Sequence, residues 1–132
     1  MVVDTSALVA ILRNEPERRK FNEAIEAAHT RSMSVACFLE SSIILESRFG
    51  ADGVHDLDLF ITRAQIVLAA VDEEQALLAR DGFRHFGKGR HPAGLTYGDC
   101  FSYALARSLD EELLFKGQDF RQTDVECHPA SG

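Results

Sequence analysis

Short apolar runs alternate with helical periodicity along almost the whole chain. "MVV" (1–3) reads as a brief buried strand, and "SALVAIL" (6–12) as a helix with Ser6 as its candidate N-cap. "PERRKFNEAIEAAH" (16–29) places Phe21, Ala24, Ile25 and Ala28 on one helical face, with Pro16 at its start. "MSV" (33–35) predicts a second strand, running into a helix from Ala36 to Phe49 that Gly50 stops. A further amphipathic helix covers 55–64, and the β-branched run "IVLAAV" (66–71) predicts a third strand. Residues 72–86 form a helix with acids in its first turn, where the helix dipole favours them. After the loop "GKGRHPAG" (87–94) comes "GLTYGDCFSYALARSL", an apolar helix interrupted by Asp99. "LLF" (113–115) predicts a fourth strand and "VEC" (125–127) a fifth. Strand–helix alternation of this kind predicts a single α/β domain over residues 1–132. Its core would be a short, mostly parallel sheet of four to five strands flanked by helices.

Composition narrows the setting. The 132 residues are 45% hydrophobic and 27% charged, enough to bury one real core. Cys37, Cys100 and Cys127 have no CxxC spacing and cannot all pair, which favours free thiols in a reducing compartment. No basic segment followed by a long apolar stretch opens the chain. No apolar run approaches the ~20 residues of a membrane span, so the expectation is a cytoplasmic protein. The formal net charge of −7 argues against broad, non-specific nucleic-acid binding. It leaves room for a nucleic-acid substrate held at a local basic patch or through a cation.

Four acids break the apolar pattern. Asp4 follows the first strand, and Asp119 follows the fourth, past Gly117. Glu40 sits mid-helix with Ala36, Cys37, Ile43 and Ile44 as its helical neighbours, a setting that capping does not explain. Asp99 lies in the first turn of its helix. In a parallel sheet these places share the carboxyl-terminal rim where α/β proteins bind ligands. Carboxylates gathered there repel one another unless a cation joins them, and an all-oxygen set suits Mg²⁺ or Mn²⁺ rather than zinc. Each acid also has a structural alternative: Asp4 as a cap, Asp99 as half of a capping box with Thr96, Asp119 as a turn residue rivalled by Asp124.

Taken in order, "MVVDTSALVAIL", the Glu of "ACFLESSIILESR", "LTYGDCFSYALA" and "LLFKGQDFRQTDV" resemble the PIN-domain ribonucleases. The likeness is greatest to the VapC-type toxins of bacterial toxin–antitoxin pairs, and it spans nearly the whole chain. The resemblance implies divalent-metal-dependent hydrolysis of RNA phosphodiester bonds, with Asp4 and Asp99 as leading ligands. Glu40 and Asp119 would complete the catalytic set, and Ser6 would stand near the metal. One departure is Gln118, at a place where the pattern can carry another acid, which implies weaker binding of a second metal. The resemblance also implies a homodimer and a cognate antitoxin that blocks the acidic site.

Candidate RNA contacts are Arg84, Lys88 and Arg90, ahead of the Asp99 helix, and Lys116 and Arg121, which flank Asp119. Two alternatives compete. A Mg²⁺-dependent haloacid-dehalogenase-like phosphatase also begins with a strand ending in Asp, but it needs a second acid two residues on, and this chain has "DTS". A non-catalytic module could use the same acidic pocket to recruit a cationic peptide.

Overall fold

The computed structural model describes residues 1–132. Strand β1 (Val2–Val3) leads into helix α1 (Thr5–Leu12) and then α2 (Arg18–Ala27). Strand β2 (Ser32–Ser34) runs directly into α3 (Val35–Phe49), and Gly50 alone separates α3 from α4 (Ala51–Arg63). Strand β3 (Val67–Ala69), α5 (Glu73–Phe86), α6 (Tyr97–Leu109) and β4 (Leu113–Leu114) follow, with a single 3-10 turn at Phe120–Gln122.

The sheet has four parallel strands in the order β3-β2-β1-β4, with Val2 opposite both Ser32 and Leu113, and Met33 opposite Leu68. Strand β1 is apolar on both faces because helices cover both sides, while β2 puts Met33 on one face and Ser32 and Ser34 on the other. On one side Leu8, Ile11, Phe21, Met33, Leu45 and Leu57 pack together. On the other, Leu95, Tyr103, Leu105, Leu113, Phe115 and Phe120 form a second cluster. Winding runs β1 to β2 to β3 in one direction and then crosses to β4 on the far side of β1. The direction therefore reverses between β1 and β4, which is where a crevice opens at the carboxyl ends of such a sheet.

Several expectations change. Pro16 lies in a turn, and its helix begins at Arg18. The helix expected from residue 55 starts at Ala51, because Gly50, at φ 66°, ends one helix and opens the next. The third strand shrinks from six residues to three and forms an exposed edge. The expected fifth strand is a single bridge between Leu113 and Cys127, too short to count as one. Ser6 is not the cap of α1: Asp4 is, accepting the Ser6 N–H at 2.9 Å, and Ser6 lies inside the first turn. Asp4 has the extended backbone of a capping residue, φ −82° and ψ 157°, whereas Ser6 is already helical.

Candidate active site

The rim is built outward from Asp4. Its backbone N–H continues the sheet by donating to Leu114 O at 3.0 Å, which fixes the residue beside the end of β4. The side chain is buried, and both oxygens are held by neutral donors. Ser6 Oγ donates to Oδ2 at 2.6 Å and Ser102 Oγ to Oδ1 at 2.5 Å. Ser6 Oγ in turn accepts the Lys116 N–H at 3.0 Å, which joins the loop after β4 to the start of α1. Hydroxyls orient the carboxylate without neutralising it, so its charge stays available to something from outside.

Asp99 belongs to a capping box. Thr96 Oγ1 accepts the Asp99 N–H at 3.3 Å, and Asp99 Oδ2 accepts the Thr96 N–H at 2.9 Å. The cap and the rim position coexist, since the box engages Oδ2. Burial pushes the Asp99 carboxyl up to about 6 despite those bonds, and the charges of Asp4 and Asp119 push in the same direction. Asp4 and Asp119 therefore both lie within electrostatic reach of Asp99. Asp119 is exposed at the start of the 3-10 turn and makes no capping bond.

Glu40 comes from α3, half-buried, with its carboxylate resting on Gly98 of α6. Its apolar neighbours divide: Cys37 is buried in the core, whereas Ile43 is 57% exposed and Leu39, next to Glu40 in the chain, 60%. Glu40 thus sits where a core face passes into an exposed apolar strip. Beneath, the Cys37 thiol lies 3.2 Å from Ser102 Oγ and 3.9 Å from Gly98 O, binding α3 to α6. Burial, with the nearby Asp4 charge, raises that thiol to about 12, so Cys37 is inert as a nucleophile or metal ligand.

None of Asp4, Glu40, Asp99 and Asp119 has a Lys, Arg, His or amino-terminal nitrogen within 4.0 Å. Nor do any three Asp, Glu, His or Cys side chains come close enough together to hold a metal ion between them. A rim of separate, unneutralised carboxylates fits a hard divalent ion that keeps much of its water and takes one or two carboxylates from the protein. It does not fit zinc, whose sites close around nitrogen and sulfur.

The cations divide into two groups. Arg84, Lys88 and Arg90 are exposed and make no ion pair, and Arg90 rests 5.4 Å from the Phe83 ring. Lys116, expected to meet RNA, is instead held between Glu15 and Glu17, the latter at 3.2 Å. Arg121 donates to Ser131 O and lies over Phe115, 5.8 Å from the ring centre. Both are committed to internal partners, those of Lys116 lying far from it in sequence. Asp124 is likewise removed from the rim, bonded to Tyr103 Oη at 2.7 Å and Arg107 Nη1 at 2.6 Å. Ser102 was not anticipated; its spacing of three residues from Asp99 on one helix was the available signal.

Residues 1–126 match the PIN domain family. The chain belongs to that family, among the VapC ribonucleases. It is 54% identical to "Ribonuclease VapC30" of Mycobacterium tuberculosis over 125 residues, covering 95% of each chain. "Ribonuclease VapC" of Mycolicibacterium smegmatis is 55% identical over 125 residues, covering 95% of this chain and 97% of that one. Among solved structures, Mycobacterium tuberculosis VapC20, described as a sarcin-ricin loop cleaving toxin, superposes with TM-score 0.76 at 14% identity. That match covers 94% of this chain and 95% of VapC20. A toxin-antitoxin complex from Klebsiella pneumoniae gives 0.68 at 17% identity, over 99% and 94%. At such identities the two structures speak for the fold. Membership of the PIN family displaces the phosphatase alternative. No helix of this VapC-family chain is long and apolar enough to cross a membrane.

Proposed function

We propose that this chain is the toxin of a toxin–antitoxin pair and hydrolyses RNA phosphodiester bonds at the rim formed by Asp4, Glu40, Asp99 and Asp119. The observation that carries this reading is that Asp4, Glu40, Asp99 and Asp119 all lack a cationic partner, in a chain whose relatives are named ribonucleases. Asp4 and Asp99 are the primary ligands for Mg²⁺ or Mn²⁺. Such an ion, when bound, supplies an acidified water and polarises the scissile phosphate. Ser6 and Ser102 keep the Asp4 carboxylate pointed at the crevice, and the Thr96 cap does the same for Asp99. Arg84, Lys88 and Arg90 are the free cations available to RNA phosphates; Lys116 and Arg121 act on the protein itself.

The partner assignments follow from the same surface. The strip of Leu39, Ile43 and Tyr97, the last 80% exposed, is an apolar face beside the rim. We assign it to a second copy of the chain, and sedimentation velocity of the purified protein is expected to show a dimer. A cognate antitoxin is expected to suppress cleavage.

The deciding experiment offers structured and single-stranded RNAs to chelated protein, with and without Mg²⁺ or Mn²⁺. It is then repeated with Asp4→Asn and Asp99→Asn. Cleavage should require the ion and fall roughly a hundredfold or more in each variant. Cleavage that survives chelation overturns the metal assignment. Inactivity of folded, antitoxin-free protein on every RNA supports an acidic binding module instead.

A further inference from the structure

The glycines of this chain do different things. A Cβ built on Gly82 would meet the Tyr103 ring at 2.6 Å, and one on Gly53 would press on the Leu45 backbone, so both glycines permit helices to pack closely. Gly98 is unlike them. The three heavy atoms nearest to its missing Cβ all belong to one carboxylate: Glu40 Oε2, in overlap, then Cδ at 3.0 Å and Oε1 at 3.1 Å. Gly98 is the second residue of α6, and it is not among the glycines with positive φ. Its backbone therefore does not need glycine, and what requires the missing side chain is the carboxylate lying on it. The approach is fixed from below, where the Cys37 thiol, three residues before Glu40, sits 3.9 Å from Gly98 O. The first-turn amides of α6 also favour a negative charge at this spot.

We propose that Gly98 is a positioning residue: by leaving the α6 surface bare, it lets the Glu40 carboxylate reach the rim next to Asp99. This inference rests on the rim being a metal-dependent ribonuclease site. The atoms a methyl group at 98 would meet first are the end of a flexible side chain, which can move aside, so the fold tolerates it. Alanine is also the better helix former, so the variant should be at least as stable as the wild type. Gly98→Ala should therefore lose function without losing stability, a combination that packing damage does not produce.

The experiment compares the full-length chain, Gly98→Ala, Glu40→Gln and the double variant. Three readouts are taken: steady-state cleavage of RNA with Mn²⁺, calorimetric titration with Mn²⁺ alone, and thermal melting without metal. Gly98→Ala is expected to lower kcat roughly 10- to 100-fold with little change in KM. It should weaken Mn²⁺ binding and leave the melting temperature equal or higher. Because both substitutions act on one carboxylate, the double variant should be no worse than Glu40→Gln alone. Additive losses, a lowered melting temperature, or a Gly98→Ala protein that cleaves and binds Mn²⁺ like the wild type would each overturn the inference and leave the ribonuclease reading standing. A wild type that neither cleaves RNA nor binds Mn²⁺ overturns the ribonuclease reading, and the inference falls with it.

Discussion

Two sets of acids in this chain differ in what balances them. Glu15 and Glu17 share the Lys116 ammonium, Glu111 takes the amino terminus at 2.7 Å, and Asp124 takes Arg107 and the Tyr103 hydroxyl. Those pairs bring together segments that are distant in sequence: the α1–α2 turn with the loop after β4, and the first residue with the end of α6. The rim acids have no such partners. Asp4 is the clearest case, because it is more deeply buried than any of the paired acids yet has only hydroxyl and amide donors. Burial by itself does not separate structural from functional carboxylates here. The difference is whether the fold provides the positive charge or leaves it to be provided from solution.

That contrast predicts opposite responses to removing charge, the largest of them at Lys116. Lys116→Met takes one cation from two glutamates, one of which has a buried Oε2 with no other partner. Hydrogen bonds to Glu15 and Glu17 raise the Lys116 pKa, and a backbone hydrogen bond, with the Lys116 contact adding to it, lowers that of Glu17. The variant should melt at a clearly lower temperature, with the loss shrinking as salt rises. Asp99→Asn should do the reverse in metal-free protein at pH 8 and melt higher than the wild type. An Asp99→Asn protein that melts lower would mean the rim is already neutralised from within.

The effect of pH on Asp99 is smaller and has a definite sign. With a folded value of about 6 against 3.8 for the free residue, the folded state holds the proton more tightly than the unfolded state does. Metal-free stability from this group should therefore fall as pH rises from about 4 to 6, then level off. Asn at 99 should flatten that slope. Mn²⁺ binding should follow the opposite course, weakening as pH drops through 6 because protons compete for the same oxygens. A metal-free melting curve whose pH slope is unchanged by Asp99→Asn would remove Asp99 from the unbalanced rim acids.

The sequence pattern shows which acids are out of place better than it shows which cations are free. Asp99 and Glu40 stand out because each interrupts an apolar periodicity, and parallel strand ends are enough to bring Asp4 and Asp119 to the same edge. Lys116 and Arg121 look available because their sequence neighbours do not neutralise them. Glu15 and Glu17 lie a hundred residues away, and Ser131 approaches only when the tail folds back on β4. Ser102 is inconspicuous in the sequence for a related reason. A serine in an apolar helix reads as filler until a carboxylate from another strand is placed against it. The shortened third strand has a local cause: it lies at the sheet edge, where only β2 supplies a ladder, and Val67 and Leu68 stay exposed.

The smallest effect tests whether Asp124 belongs with the paired acids. Its oxygens accept from Tyr103 Oη and Arg107, on the face of α6 that packs against α5, where the Tyr103 ring lies over Gly82. Tyr103→Phe keeps the ring and its burial but removes the hydroxyl, leaving Asp124 to Arg107 and water. The cost should be about 1 kcal/mol, the net worth of one such hydrogen bond, read as a denaturant midpoint shifted at constant slope. RNA cleavage should be unchanged, because nothing in that contact reaches the crevice. Loss of cleavage out of proportion to the lost stability would place Asp124 in the catalytic set. The division between acids balanced inside the fold and acids awaiting a cation would then fail at this residue.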